Sequence, residues 1–192
     1  WTLPGVMTTG AAQTLWRTAR RLPGRRVLIA GNGPLNLQLA AEFAEGGAEV
    51  LAVVEAVEPP SLADRCTLAT MLAAAPRLVR DGLRYHRRRR AAGTEMEYGQ
   101  VVAAIGRNDA GLTVELASAR SMQRNGRRFE ADVVCLGYGF EPANELLRLL
   151  GCGHDYDSER RHLVTRRDAR GRTDIAGIYA LGDCTGLGGA RV

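Results

Sequence analysis

The sequence predicts an α/β fold in which a parallel sheet, begun by a βαβ unit, is followed by an antiparallel β-meander. The first observation is a pair of apolar runs, 26–30 and 49–55, that flank a helical pattern. This is the spacing of a right-handed crossover between parallel strands. The second is a set of short alternating runs within 94–117, which are separated by turn residues as in antiparallel strands.

Composition places the chain among ordinary globular proteins. It has 192 residues, of which 45% are hydrophobic and 24% charged, which excludes disorder and a disulfide-rich miniprotein. No apolar run reaches the roughly 18 residues of a membrane-spanning helix, so we predict no transmembrane segment. Four cysteines without Cys-x-x-Cys spacing and three histidines predict no metal site. A reducing, cytoplasmic setting is therefore expected.

The net charge of +5 comes from Arg alone, because all 26 basic residues are Arg. The densest run, Arg87–Arg90, is typical either of a nucleic-acid contact or of the solvated end of a helix. In the second case the cations face the negative end of the helix dipole and Gly93 ends the helix. Arg without any Lys indicates compositional bias, so we favour the helix end and predict no nucleic-acid partner.

The βαβ unit is preceded by one further helix. We expect that helix over Ala11–Arg21, with Pro23-Gly24 after it. A strand over 26–30 leads through glycines into a helix that begins at Pro34, a residue suited to the first turn, and ends at Gly46-Gly47. The second strand occupies 49–55, and Pro59-Pro60 ends the unit.

The later elements follow the same patterns. Helices are expected over Ser61–Ala75, with Ser61 or Asp64 as its cap, and over Arg77–Ala92. Further strands are expected over Glu95–Tyr98, Val101–Ile105, Leu112–Leu116, Asp132–Leu136 and Gly177–Leu181, a polar hairpin tip over 118–130, and a short helix over Asn144–Leu150.

A glycine turn joins the first strand of the unit to its helix, in the sequence Gly31-Asn32-Gly33-Pro34-Leu35. Gly31 permits the tight turn, and Gly33 lets the backbone approach a pyrophosphate at the positive end of the helix dipole. Asn36 replaces the usual third glycine, which weakens the pattern without removing these contacts.

The end of the second strand supplies a carboxylate. Glu55 lies about 20 residues beyond the turn, where an acid binds the ribose hydroxyls of NAD. No basic residue follows before Arg65, so nothing suits the 2′-phosphate of NADP. The pattern favours an NAD-type dinucleotide site in a Rossmann-like domain, although such a turn also occurs without a ligand or with another nucleotide.

A second motif lies near the end of the sequence. Thr173-Asp-Ile-Ala-Gly-Ile-Tyr-Ala-Leu-Gly-Asp183 resembles the flavin motif of the pyridine nucleotide-disulfide oxidoreductase superfamily. The resemblance implies that Gly182 and Asp183 contact FAD, with Asp183 at the ribityl chain. It also implies that the glycine-rich stretch 186–190 opens a helix pointing at the flavin.

The run Val133-Val-Cys-Leu-Gly-Tyr-Gly139 resembles the second glycine motif of that superfamily. This makes Gly137, Tyr138 and Gly139 candidates for cofactor contact, with Tyr138 either beside the nicotinamide or serving packing. Val101 is a further candidate.

Three stretches, Leu3–Thr14, Gly31–Gln38 and Gly137–Cys152, resemble one branch, the large subunits of opine oxidase, hydrogen cyanide synthase and dye-linked proline dehydrogenase. The resemblance implies a hetero-oligomer whose second, amine-oxidase-like flavoprotein subunit oxidises the amine, while this subunit serves electron transfer. Some members of the branch bind ATP where others bind NAD. Two alternatives stay open: an NAD(P)H-dependent flavin reductase of the ferredoxin-reductase type, and a non-catalytic nucleotide-binding regulatory subunit.

The resemblance also divides the chain. Residues 1–22 become a linker and helix of an FAD domain, 23–140 the NAD(P)-binding domain, and 141–192 a return segment to the FAD domain. The Gly-x-Gly-x-x-Gly motif for the ADP half of FAD is not in this sequence, so we expect the chain alone to lose FAD on desalting. No catalytic acid or base is assigned, because His154 and Asp155 lie in a predicted polar turn.

Overall fold

The computed structural model describes residues 3–59, 61 and 65–187, and these form two compact units, one up to Gly139 and one from Phe140 onward. The α/β prediction is confirmed. The elements of the first unit are β1 (Val6–Thr8), α1 (Thr9–Ala19), β2 (Arg26–Gly31), α2 (Pro34–Glu45), β3 (Glu49–Glu55), α3 (Arg65–Ala74), α4 (Pro76–Ala91), β4 (Glu95–Tyr98), β5 (Gln100–Asn108), β6 (Gly111–Ser118), β7 (Arg124–Ala131) and β8 (Val133–Gly137).

Two sheets organise this unit. Five strands form a parallel sheet in the order β1-β8-β2-β3-β4, and β5, β6 and β7 form the predicted antiparallel meander. Since β2 is central, its residues are buried on both faces. Val27 and Ile29 pack with α1 and α2, whereas Leu28 and Ala30 pack with the meander. The parallel sheet is thus the middle of three layers, as in other sheets covered on both faces.

Helix α1 begins two residues before the predicted start. The Thr8 hydroxyl accepts a hydrogen bond from the amide of Ala11 at 3.1 Å, which is the usual role of threonine before a helix. At the other end Arg20 adopts a left-handed conformation and its amide donates to the Trp16 carbonyl. The helix therefore ends at Ala19 rather than at Arg21.

The predicted hairpin tip over 118–130 is wrong, because most of it is strand β7. Its residues 124–128 are exposed at the edge of the meander, so they carry no apolar alternation. Ion pairs replace that pattern: Arg124 and Arg128 pair with Glu115 at 2.7 and 2.6 Å. Arg127 pairs with Glu95 and Glu97 of β4. Only Phe129 and Ala131 turn towards the core.

The arginine run lies at the end of α4, as the helix-end interpretation requires. Arg88 pairs with Glu45 at 2.6 Å, and Arg89 donates to the carbonyl of Thr94. Gly93 follows with φ of 73°, a conformation that favours glycine. Helix α3 begins at Arg65, after Ser61, and the alternative cap Asp64 lies outside the described residues.

The second unit contains helix α5 (Glu145–Leu149), strands β9 (His154–Asp157) and β10 (His162–Thr165), and a 3₁₀ turn over Gly182–Thr185. The strand predicted over Gly177–Leu181 is wrong: its one bridge joins Tyr179 to Arg172, and Ala180 is the single residue of the run that is buried. The polar hairpin β9–β10, in contrast, was not predicted.

Candidate functional site

The glycine turn after β2 contains two glycines in different roles. A Cβ at Gly31 would lie 2.0 Å from the Gly137 carbonyl oxygen. Strand β8 therefore packs so closely against this position that no side chain fits there. A Cβ at Gly33 would meet nothing within 4 Å, and its φ of 93° favours glycine. Gly33 therefore leaves its backbone open at the N-terminus of α2, where Pro34 is the first helical residue. Pro34 is exposed and Leu35 is half-buried.

The carboxylate of Glu55 reaches this turn from the end of β3. Its two oxygens accept from the Gly33 amide at 3.2 and 3.3 Å. Burial raises the pKa of Glu55, and the hydrogen bond from Gly33 opposes that rise. The parallel pairing of β2 with β3 places Gly31 opposite Glu55, and this register carries the carboxylate to the glycine turn.

The second glycine motif lies beside the first. Strand β8 pairs with β2 in a register that places Gly137 opposite Gly31, and the amide of Asn32 donates to the Gly137 carbonyl at 2.8 Å. The Asn32 side chain is exposed, and Gly139 has open space where a Cβ would lie. The structure thus brings the two glycine motifs together at the carboxyl edge of the parallel sheet, where ligands bind in such folds.

Tyr138 extends from this edge to the meander. Its hydroxyl accepts from the amide of Val102 at 3.2 Å, next to the candidate Val101, whose side chain is half-buried on β5. Burial raises the pKa of Tyr138, the Val102 amide lowers it, and the charge of Glu55 raises it further. Tyr138 is 44% exposed. Its hydroxyl is therefore held by Val102 while part of the side chain stays accessible.

Asn36 is the residue whose role the sequence pattern did not reveal. It is fully buried, its Nδ2 donates to the Gly137 carbonyl at 3.0 Å, and its Oδ1 accepts from the Thr9 hydroxyl at 2.9 Å. One side chain therefore joins the start of α1, the glycine turn and the end of β8. The available signal was an amide on the apolar face of a helix, at the position where the pattern has its third glycine.

Gly182 and Asp183 lie in the second unit, in its 3₁₀ turn. The Asp183 side chain is exposed, and its backbone carbonyl accepts from the amide of Ala143 at 3.2 Å. The glycine-rich stretch after it is described only to Leu187, so the helix that residues 186–190 are expected to open lies outside the described residues.

His154 and Asp155 lie on strand β9, not in the predicted turn. The His154 ring contacts the Cys152 carbonyl at 2.8 Å and the Thr165 hydroxyl at 3.2 Å, and Asp155 pairs with Arg166 at 2.7 Å. Both side chains are thus engaged by separate neighbours, and they form no acid–base pair with each other.

The described ranges contain neither a metal-binding group nor a membrane-spanning helix. Among residues 3–59, 61 and 65–187, no three His, Cys, Asp or Glu side chains form a group able to hold a metal ion. Within the same ranges, no helix is both long enough and apolar enough to cross a bilayer. Cys135, Cys152 and Cys184 are free thiols, and burial raises the pKa of Cys135 to about 12.

Residues 2–192 match the family described as pyridine nucleotide-disulphide oxidoreductase. An opine oxidase subunit of Agrobacterium tumefaciens strain Ach5 is 33% identical over 194 residues, covering 100% of this chain and 37% of that protein. Hydrogen cyanide synthase subunit HcnB of Pseudomonas protegens is 29% identical over 195 residues, covering 100% of this chain and 41% of that protein. The chain spans about two fifths of the length of these relatives.

Solved structures share the fold. The flavoprotein disulfide reductase RclA of Escherichia coli has a TM-score of 0.56 at 21% identity, covering 96% of this chain and 35% of that one. The water-forming NADH oxidase of Lactobacillus brevis, bound to NADH, has a TM-score of 0.53 at 18% identity, covering 90% of this chain and 32% of that one.

Proposed function

Because the chain belongs to the pyridine nucleotide-disulphide oxidoreductase family, we propose that it is the nucleotide-binding part of an FAD-dependent oxidoreductase subunit. In this proposal residues 23–140 form the NAD-binding domain, residues 1–22 lead into it from an FAD domain, and residues 141–192 return to that domain. Gly182 and Asp183 are proposed to contact the flavin.

One observation carries the choice of NAD: the Glu55 carboxylate lies at the open glycine turn, on the Gly33 amide. Ribose hydroxyls donate to such a carboxylate, whereas the 2′-phosphate of NADP is repelled by it. The residues present fit the adenosine half of NAD, because nothing lies within 4 Å of where a Cβ of Gly33 would be, and helix α2 begins directly after Gly33.

When bound, the nicotinamide nucleotide supplies hydride-transfer chemistry. The chain binds and orients it. The Leu35 amide at the N-terminus of α2 would bind the pyrophosphate, with Asn32, Gly33 and Pro34 bordering it, because Pro34 has no N–H and the Asn32 and Gly33 amides already donate to Gly137 and Glu55. Glu55 would bind the ribose, and Gly139 and Val101 would limit the cofactor's position. Tyr138, with its hydroxyl fixed on Val102, would limit the access of water to the bound nucleotide.

We further propose that the enzyme acts in amine, opine or amino-acid oxidation, with this subunit serving electron transfer. The support is that the opine oxidase and hydrogen cyanide synthase subunits both match over the whole of this chain. Both relatives are named as subunits, which supports the presence of a partner subunit. In this proposal the partner is a second, amine-oxidising flavoprotein. A stand-alone flavin reductase needs no such partner.

Calorimetric titration with NADH, NADPH and ATP tests the nucleotide site. We expect NADH to bind best, and Glu55→Ala to weaken it by about 10- to 100-fold, since hydrogen bonds to a charged group contribute about 1.5–3 kcal/mol. NADPH binding should rise or stay unchanged in Glu55→Ala, because the repulsion of its 2′-phosphate is removed.

Glu49→Ala is the matched control, because Glu49 is an exposed residue at the opposite end of the same strand. Equal NADH affinities in the two variants would contradict the role of Glu55. Binding of ATP alone would overturn the assignment of an NAD site.

A further inference from the structure

A cavity lies entirely within the second unit. It has a volume of about 210 Å³ and lies between the segment 141–148 and the β9–β10 hairpin. Its polar lining residues are Glu141, Asn144, Arg148, Tyr156, Arg161 and His162. The functions proposed above use none of them.

His162 is the unexplained group of this cavity. The residue is 7% exposed, and both ring nitrogens are buried without a hydrogen-bond partner among the described residues. His154, on the paired strand, has partners on both nitrogens. A buried polar group without a hydrogen-bond partner destabilises the folded state. Such a group in a cavity wall therefore indicates a missing partner.

The cavity is held in shape by a buried amide. Asn144 is 5% exposed, and its Nδ2 donates to the Leu163 carbonyl at 2.8 Å. This hydrogen bond fixes the segment before α5 against strand β10, beside His162. Pro142, which also lines the cavity, is buried as well.

The rim carries charges without partners. Arg148, Arg161 and Glu141 form no ion pair within the described part of the chain, although the neighbouring Arg160 and Arg166 pair with Asp157 and Asp155. Guanidinium groups bind carboxylates through paired hydrogen bonds, and a carboxylate such as Glu141 binds an ammonium group. A bare anion would meet repulsion from Glu141, so a ligand with both charges uses the whole rim.

We propose that this cavity binds a small molecule that carries a carboxylate beside a protonated amine, the combination found in free amino acids. The carboxylate lies against Arg148 and Arg161, the amine against Glu141, and His162 supplies a buried hydrogen bond. The volume of about 210 Å³ is many times the roughly 10–15 Å³ that a single water molecule requires, so the cavity has room for a small organic ligand.

The test uses the histidine ring signals in NMR spectra, since the chain contains three histidines. His86→Gln and His154→Gln assign the signals. Glycine, acetate and methylammonium are then titrated separately. We expect glycine to shift the His162 signals saturably, acetate to do so at least five-fold more weakly, and methylammonium to have no effect.

Rim variants identify the contacts. Arg148→Gln and Arg161→Gln should each weaken glycine binding at least ten-fold. Glu141→Gln should lower the affinity for glycine to that for acetate. Arg160→Gln is the matched control, because Arg160 lies in the same turn but does not line the cavity. Unchanged His86 and His154 signals show that each variant is folded.

Three results would overturn the proposal. His162 signals that respond to none of the probes mean that the ring holds only water. Equal affinities for glycine and acetate in the unmodified chain exclude a role for Glu141 in binding the amine. Equal losses of glycine affinity in Arg160→Gln and Arg161→Gln exclude a specific contact between Arg161 and the ligand.

Discussion

Asn36 accounts for a departure from the usual glycine pattern. The third glycine of that pattern allows close packing between helix and strand. Here an amide fills that position and forms hydrogen bonds with the Gly137 carbonyl and the Thr9 hydroxyl. A hydrogen-bonded contact has replaced a close backbone contact, so the turn keeps its shape by a different means.

Asn36→Ala should destabilise the chain by about 1–3 kcal/mol, because it leaves the buried Thr9 hydroxyl without its acceptor and removes one of the hydrogen bonds to the Gly137 carbonyl. Urea unfolding followed by circular dichroism measures the loss. Asn32→Ala is the control, since the Asn32 side chain is exposed at the same turn. Equal stabilities of the two variants would show that the Asn36 contacts contribute nothing.

Some site residues can be identified from a local sequence pattern, and others only from contacts between distant parts of the chain. Gly31, Gly33 and Glu55 were found from spacing, because strand, turn and helix follow one another locally. The contact of Asn36 with Gly137 joins residues about 100 positions apart, and that of Tyr138 with Val102 joins 36. No local pattern encodes such distances, so these contacts could not be predicted.

Strands were predicted well where turn or helix-end residues bound them and poorly where they carry few apolar residues. The bounds of β3 and β4 match the prediction, because each run is bounded by turn or helix-end residues. Strands β7 and β9 carry few apolar residues and were missed. These segments form strands because they pair with neighbouring strands, and the hydrophobic periodicity of a single segment does not predict such pairing.

Asp132 joins two strands at the opposite edge of the parallel sheet. It precedes β8 and accepts from the amides of Arg25 and Arg26 at 3.1 and 2.8 Å, and from the Arg26 guanidinium at 2.9 Å. These hydrogen bonds, with the guanidinium charge, lower the pKa of Asp132.

Asp132→Asn should destabilise the chain at neutral pH by on the order of 1 kcal/mol, because the pair is partly exposed and screened. The lowered pKa makes the contribution of Asp132 fully present above the unfolded-state pKa and lost as pH falls through the folded-state pKa. The difference between variant and unmodified chain should therefore shrink below about pH 4.

Urea unfolding between pH 2.5 and 7 measures this dependence. Asp109→Asn is the matched control, because the Asp109 side chain is exposed in the β5–β6 turn. A difference that stays constant over this range would contradict the assigned pKa shift.

The two units carry separate cores and separate candidate sites. The proposed nucleotide residues Gly31–Leu35, Glu55, Val101 and Gly137–Gly139 belong to the first unit. Leu147, Cys152 and Ala180 form the buried cluster of the second. Effects on stability in one unit can therefore be compared with nucleotide binding in the other.

Leu147→Ala should destabilise the second unit by about 2–5 kcal/mol, as expected for a buried leucine, and leave NADH affinity unchanged. Thermal unfolding and calorimetric titration of the same sample measure both. Leu149→Ala is the control, because Leu149 lies on the same helix and is 83% exposed. A loss of NADH affinity in Leu147→Ala would contradict a nucleotide site confined to the first unit.

The sequence by itself determined the α/β class, the strand–turn–helix around the glycines, the carboxylate at the end of β3 and the family resemblance. Each of these depends on residue spacing within a local segment or on a motif. Only the tertiary structure decided the partners of Asn36 and Tyr138, the edge strand β7, and the cavity around His162. These features arise where distant segments meet, and burial and hydrogen bonding there depend on the folded neighbours rather than on local sequence.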